Sequence, residues 1–196
     1  MGASCIYPLL GCACRPRWRF GGTEIDDKSL EYAQKNAALN DLQQRVRLRK
    51  ATPDGPLLDL KGLGIGHADF VMCNPPFFTS REDMLAIHEN KKRSPSAICT
   101  GTETEMITEG GDLGFVTRML KESATLKDDV QWYSAMLGKL ASVRTVVEGL
   151  KSAGITNWAA TSLQAGNVTK RWAVAWSYDD LRPNNVGRIC EWTVLV

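Results

Sequence analysis

Short runs of β pattern alternate with stretches of helical period along this chain, and that alternation admits few folds. RFGGTEI (19–25) reads as a strand running into a polar end. DDKSLEYAQKNAALN (26–40) follows, with an acidic start and Leu30, Ala33 and Ala37 at helical spacing. RVRLRK (45–50) alternates and predicts a strand with one basic face. ADFVMC (68–73) is a short, nearly continuous apolar run, the pattern of a strand buried on both faces of a parallel sheet. A helix is expected at 111–127, with Leu113, Val116, Leu120 and Ala124 on one face, then a strand at 130–137 and a helix at 140–154 closed by Gly154. NWAATSLQ (157–164) and RWAVAWSY (171–178) flank Gly166 and Asn167 and predict an antiparallel hairpin. Residues 3–11 complete the set as an amino-terminal helix. Strands alternating with helices predict an α/β fold, a mostly parallel sheet with helices on both faces.

The 196 residues are expected to form a single domain. With 43% hydrophobic and 23% charged residues, the composition excludes an extensively disordered chain, and no apolar run reaches the length of a membrane span. Residues 52–66, rich in glycine and proline, read as loop, and so does the long polar stretch from Thr79 to Glu109. Six cysteines stand at 5, 12, 14, 73, 99 and 190. Cys12 and Cys14 are too close for a usual zinc pair and no second pair follows, so no metal site is expected. Reduced thiols then point to a nuclear or cytoplasmic protein that is not secreted. The net charge of +2 says little, but RPRWR (15–19), RVRLRK and KKR (91–93) are local basic clusters that suit a phosphate-rich partner. GLGIG (62–66) precedes a strand and does not open a helix, so it is not a dinucleotide fingerprint.

Ligands on open α/β sheets bind beyond the carboxyl ends of the strands. Three stretches are expected there: GAS before the first helix, TEID after the strand at 19–25, and NPPFF after the strand at 68–73. Two prolines can simply end a strand, but they do not account for the asparagine before them. Prolines stiffen the backbone and hold neighbouring carbonyls in fixed directions. The Asn74 side-chain oxygen and the Pro75 carbonyl can together accept from one amino group, Pro76 adds rigidity, and Phe77 can stack on the ring that carries the amine. That arrangement suits methyl transfer from S-adenosyl-L-methionine to an exocyclic amine of a base drawn out of its stack. Glu24 suits a ribose diol, and Gly2 and Ser4 suit a close backbone approach to a ligand at a helix start.

TEID, CNPPFF, TEGGDLGFV, WYSAMLGK and RWAVAWS occur in this order from Gly2 to about Tyr178. In these the chain resembles the adenine-N6 RNA methyltransferase family of methyltransferase-like protein sixteen, which acts on U6 small nuclear RNA, and bacterial RlmF, which acts on 23S ribosomal RNA. The resemblance implies a class I, Rossmann-like methyltransferase fold, S-adenosyl-L-methionine as donor and N6 of adenosine in structured RNA as acceptor. It implies that Asn74, Pro75, Pro76 and Phe77 form the target-amine pocket, that Gly2, Ser4, Glu24 and Asn74 hold the cofactor, and that Arg171 contacts RNA. Lys91, Lys92 and Arg93 lie in the long loop where RNA is expected to pass. NPPF alone is shared by amine methyltransferases of several substrates, so glutamine side chains and guanine N2 remain alternative acceptors.

The family reaches GAS through a preceding strand and a glycine-rich turn, and here Met1 stands directly before Gly2. The expectation is therefore an amino-terminally incomplete domain without the central strand of its sheet. Unpaired neighbouring strands or a rearranged sheet should follow, with weak cofactor binding or a non-catalytic, RNA-binding remnant.

Overall fold

The computed structural model describes residues 1–89, 103–165, 169–181 and 193–195. The helices are α1 (Ile6–Cys14), α2 (Asp27–Leu39), α3 (Arg81–Glu89), α4 (Glu103–Met106), α5 (Gly111–Ser123) and α6 (Leu140–Ser152). The strands are β1 (Arg19–Glu24), β2 (Val46–Lys50), β3 (Ala68–Cys73), β4 (Val130–Leu137), β5 (Asn157–Ala165), β6 (Thr169–Ser177) and β7 (Thr193–Leu195). All seven strands lie in one sheet, in the order β2-β1-β7-β3-β4-β6-β5. The first five are parallel. β6 runs antiparallel to β4, and β5 antiparallel to β6, which is the expected hairpin.

Local chemistry accounts for the element ends. The Asp26 carboxylate accepts from the Ser29 N–H at 2.7 Å and caps α2, whose Ser29, Ala33 and Ala37 are buried. Gly154 takes φ +73° just beyond α6, a conformation that costs glycine nothing. The turn after α1 is held by an arginine that is distant in the chain. The Arg45 guanidinium donates to the carbonyls of Cys12, Arg15 and Trp18, which satisfies helix-end and turn acceptors, while Arg15 lies 5.9 Å from the Trp18 ring centroid.

The largest fully buried side chains, Trp176 of β6 and Tyr133 of β4, stack with centroids 5.5 Å apart. The Trp176 indole N–H donates to the Ser123 hydroxyl at 3.1 Å, and that hydroxyl donates to the Leu120 carbonyl at 2.7 Å. This cluster joins α5 to β4 and β6.

Two expectations change and a third is resolved. The first helix begins at Ile6, not at residue 3, because Gly2 (φ +80°) and Cys5 (φ 52°) are left-handed and hold residues 2–5 as a turn. The stretch from Thr79 to Glu109 is not all loop, since α3 and α4 lie within it. Ser80 caps α3 by accepting from the Asp83 N–H at 3.2 Å, a serine-to-acid spacing that marks a helix start. Finally, the sheet is rearranged. The place between β1 and β3 holds β7, where the expectation was either unpaired strands or a rearranged sheet. Lys91, Lys92 and Arg93 lie outside the described residues.

Candidate active site at the carboxyl edge of the sheet

β1, β3 and β4 end on the same edge, so Glu24, Asn74 and Gly138 all lie along it. β6 runs the other way and therefore begins there, with Leu137 of β4 opposite Trp172. That reversal brings Arg171 to the edge.

Glu24 is only 4% exposed. One carboxylate oxygen accepts from the Gly2 N–H at 2.7 Å and lies 3.3 Å from the Met1 ammonium, and the other accepts from the N–H groups of Ile25 (2.9 Å) and Asp26 (3.0 Å). Burial alone would raise the pKa of this carboxyl. The ammonium charge and the N–H donors outweigh it and hold the pKa below its ordinary value of 4.5. A carboxylate offers about four acceptor sites, and all are met here. The ribose-type role expected of Glu24 thus requires a hydroxyl to replace one of these donors.

A lowered folded-state pKa stabilises the fold above the unfolded-state value. The unfolded chain takes up the proton first, so the contribution falls away as the pH drops from about 4.5 through the lower folded value. Thermal unfolding of the parent chain and of Glu24→Gln should show a stability gap at neutral pH that closes in this acid range. A gap of constant size from pH 7 to pH 3 would contradict the assignment.

The turn at Gly2 is held from two sides. The Ala3 N–H donates to the Glu105 carboxylate at 3.1 Å, and the Asn36 amide of α2 donates to the Ala3 carbonyl at 3.0 Å. Ser4 is exposed. Neither Glu105 nor Asn36 was singled out from sequence. Both lie far from Gly2 in the chain, and only folding brings them to it.

At the end of β3, Asn74 is exposed and its side chain makes no hydrogen bond among the described residues. Pro75 is buried, while Pro76 and Phe77 are half-buried. The next residue is clamped: the Phe78 N–H donates to the Met106 carbonyl and its carbonyl accepts from Thr108, both at 3.0 Å. The Phe77 ring lies against Gly138, where a Cβ would meet the ring Cδ1 at 3.2 Å. On the ring itself sits Arg171, its guanidinium carbon 4.9 Å from the centroid.

Asp112 is a third residue of this site that sequence reasoning passed over. It is 7% exposed at the start of α5 and accepts from the Gly138 N–H at 2.6 Å and from the Ser142 hydroxyl at 3.4 Å. A carboxylate in the first turn of a helix is favourably placed against the helix dipole. It ties the end of β4 and the start of α6 to the helix behind Phe77. The signal was present in the stretch EGGDLGFV, whose Gly110 (φ +70°) and Gly111 (φ +60°) are left-handed.

Of the expected pocket residues Asn74 to Phe77, Phe77 therefore meets Arg171 on this edge, with Glu24 and Gly2 farther along it. Among the described residues, no cluster of histidine, cysteine or acidic groups can hold a metal. The Cys73 thiol next to the pocket is pushed up to about 12 by burial, so it stays protonated and unreactive at neutral pH.

A family profile described as RNA methyltransferase matches residues 1–180. The U6 small nuclear RNA (adenine-(43)-N(6))-methyltransferase of Schizosaccharomyces pombe is 42% identical over 185 residues, covering 94% of this chain and 46% of that protein. The ribosomal RNA large subunit methyltransferase F of Pseudomonas fluorescens is 32% identical, covering 96% of this chain and 58% of that protein. This chain thus spans about half the length of these relatives. Among solved structures, the hMettl16 catalytic domain in complex with MAT2A 3'UTR hairpin 1 matches with a TM-score of 0.80 at 40% identity, covering 91% of this chain and 62% of that one. The N-terminal domain of human METTL16 in complex with SAH matches with a TM-score of 0.70 at 37% identity, covering 91% and 59%. The chain belongs to the RNA methyltransferase family.

Proposed function

We propose that this chain carries the methyl-transfer site of an S-adenosyl-L-methionine-dependent enzyme that modifies N6 of adenosine in structured RNA of the U6 or ribosomal class. The observation that carries the reading is the contact of Arg171 with Phe77, directly after Asn74 to Pro76, on the edge that also presents Glu24. The relatives named for RNA adenine methylation, and the one seen with an RNA hairpin, support it. The relatives' RNA targets support an activity inside the cell, in nucleus or cytoplasm.

The residues present fit the donor. Glu24 is a buried, ionised carboxylate whose oxygens already accept from N–H donors, the hydrogen-bonding character a ribose diol needs. Gly2, at φ +80°, keeps the backbone open next to it. When bound, S-adenosyl-L-methionine supplies a methyl group activated by its sulfonium charge.

The chain's own residues supply position. The Asn74 side-chain oxygen and the Pro75 carbonyl accept from the two hydrogens of the adenine amine, which fixes its plane and aims its lone pair. Phe77 carries the base by stacking. Arg171 now lies on that ring, so the base must displace it or slide against it, and the freed guanidinium suits a flanking phosphate. No strong base is required, because the proton leaves an amine made acidic by methylation.

The test is methylation of folded RNA hairpins by the purified chain, followed by digestion to nucleosides and mass spectrometry. N6-methyladenosine is the expected product. Methylated guanosine, methylated protein glutamine, or RNA binding with no methyl transfer would each overturn the reading.

A further inference from the structure

Two glycines pack against Phe77. A Cβ on Gly138 would meet its ring at Cδ1 (3.2 Å) and Cε1 (3.7 Å), and a Cβ on Gly111 would meet its carbonyl oxygen at 3.2 Å. The contacts at 3.2 Å are tighter than ordinary van der Waals distance, so neither glycine takes a methyl group unless Phe77 gives way. The two glycines belong to different elements. Gly111 opens α5, and Gly138 directly follows β4. Phe77 therefore sits in the gap between them, with its backbone on one and its ring on the other.

One side chain sets the width of that gap. Asp112 is next to Gly111 in the chain, and one of its carboxylate oxygens accepts from the Gly138 N–H at 2.6 Å. The other accepts from the Ser142 hydroxyl of α6 at 3.4 Å. At 7% exposure a carboxylate is costly to bury, and a short charge-assisted hydrogen bond is the kind of contact that offsets the cost. An apolar side chain would pack α5 against α6 without that cost. What only the carboxylate supplies is a directed hold on the Gly138 backbone. The ring held in this way is the one that Arg171 covers, where the function given above seats the adenine.

Resting on that function, we propose that Asp112 is a positioning residue for methyl transfer: through the Gly138 N–H it fixes the Phe77 ring, and with it the plane of the target base, while touching neither RNA nor donor. A ring that drifts carries the amine away from the Asn74 oxygen and the Pro75 carbonyl. Misplacement by about 1 Å at a reacting centre can cost about 10²-fold in rate. The loss falls on kcat, because phosphate contacts supply most of the RNA affinity.

Three variants test the link. Asp112→Ala removes the hold, Asp112→Asn keeps an amide oxygen that can accept from the same N–H, and Gly138→Ala leaves Asp112 in place but pushes a methyl group into the ring. Asp112→Ala and Gly138→Ala should each lower kcat by about 10- to 10²-fold with RNA affinity retained, and Asp112→Asn should recover most of the rate. Val146→Ala, which empties a buried site on α6, should lower the Tm and leave kcat unchanged. A second readout needs no turnover. With the five phenylalanines replaced by fluorophenylalanine, the Phe77 signal in fluorine NMR is assigned by its loss in Phe77→Leu. It should move in Asp112→Ala and Gly138→Ala and stay at the parent position in Asp112→Asn and Val146→Ala. An unmoved Phe77 signal in the first two variants, parental kcat in either, or an equal loss of kcat in Val146→Ala would each overturn the proposal. A parent chain that makes no N6-methyladenosine would remove the function instead, and the Phe77 signal alone would then decide whether Asp112 places the ring.

Discussion

Replacing Asn74 by alanine is expected to lower methyl transfer to RNA by about 10²- to 10³-fold, the cost of removing one preorganised polar contact at a reacting centre. The expected loss is in kcat. Asn74 is exposed and makes no hydrogen bond among the described residues, so the fold does not depend on it. Its neighbours do the structural work: Pro75 is buried, and Phe78 is bonded to Met106 and Thr108. Thermal unfolding of the variant should therefore match the parent within about 1 °C, in line with an exposed substitution. RNA affinity, measured by filter binding, should also be retained, because phosphate contacts from basic residues supply most of it. A variant with near-parental turnover would remove Asn74 from the target pocket. Loss of RNA binding in parallel with activity would make it a binding residue.

Trp176→Ala is expected to destabilise the fold by about 3–5 kcal/mol, the usual range for emptying a buried aromatic site. Trp176 is fully buried, stacks on Tyr133 at 5.5 Å, and donates to the Ser123 hydroxyl at 3.1 Å. Alanine leaves a cavity between β4, β6 and α5 and takes one donor from a hydroxyl that also meets Leu120 and Tyr178. For a chain of this length, each kcal/mol corresponds to roughly 2–4 °C in Tm, so a fall of about 6–20 °C is expected by calorimetry. Trp176→Phe keeps most of the apolar volume and loses the indole N–H, and it should cost about 1 kcal/mol. A shift below about 2 °C for the alanine variant would show that the Tyr133–Trp176 stack is not the keystone of this side of the sheet.

The two ends of the barrier to reading this protein from its sequence are visible in single residues. The strands at 68–73 and 130–137 and the hairpin of β5 and β6 were legible because apolar runs and turn residues act over a few positions. The helix α3 was missed because its apolar residues make no clear stripe, although the Ser80 cap was there to be read. Asn74 to Phe77 could be placed at the ligand edge because a strand followed by prolines ends where ligands bind in such sheets. Glu105, Asn36 and Asp112 could not be assigned, because each acts on a backbone group that is distant in sequence: Ala3 for the first two and Gly138 for the third.

By itself, then, the sequence determined the elements, their alternation and the residue types gathered at the edge, since periodicity, capping and turn chemistry are local. Tertiary structure alone decided which strand fills the centre of the sheet. Nothing in the three residues 193–195 names β1 and β3 as partners, because strand pairing satisfies backbone groups that every residue carries alike. It also decided that Arg171 lies on Phe77, since that contact follows from β6 running antiparallel to β4 and starting where β3 ends. Local forces select conformations along the chain. Which groups meet across it is settled only when the buried faces and hydrogen-bonding edges must all be satisfied together.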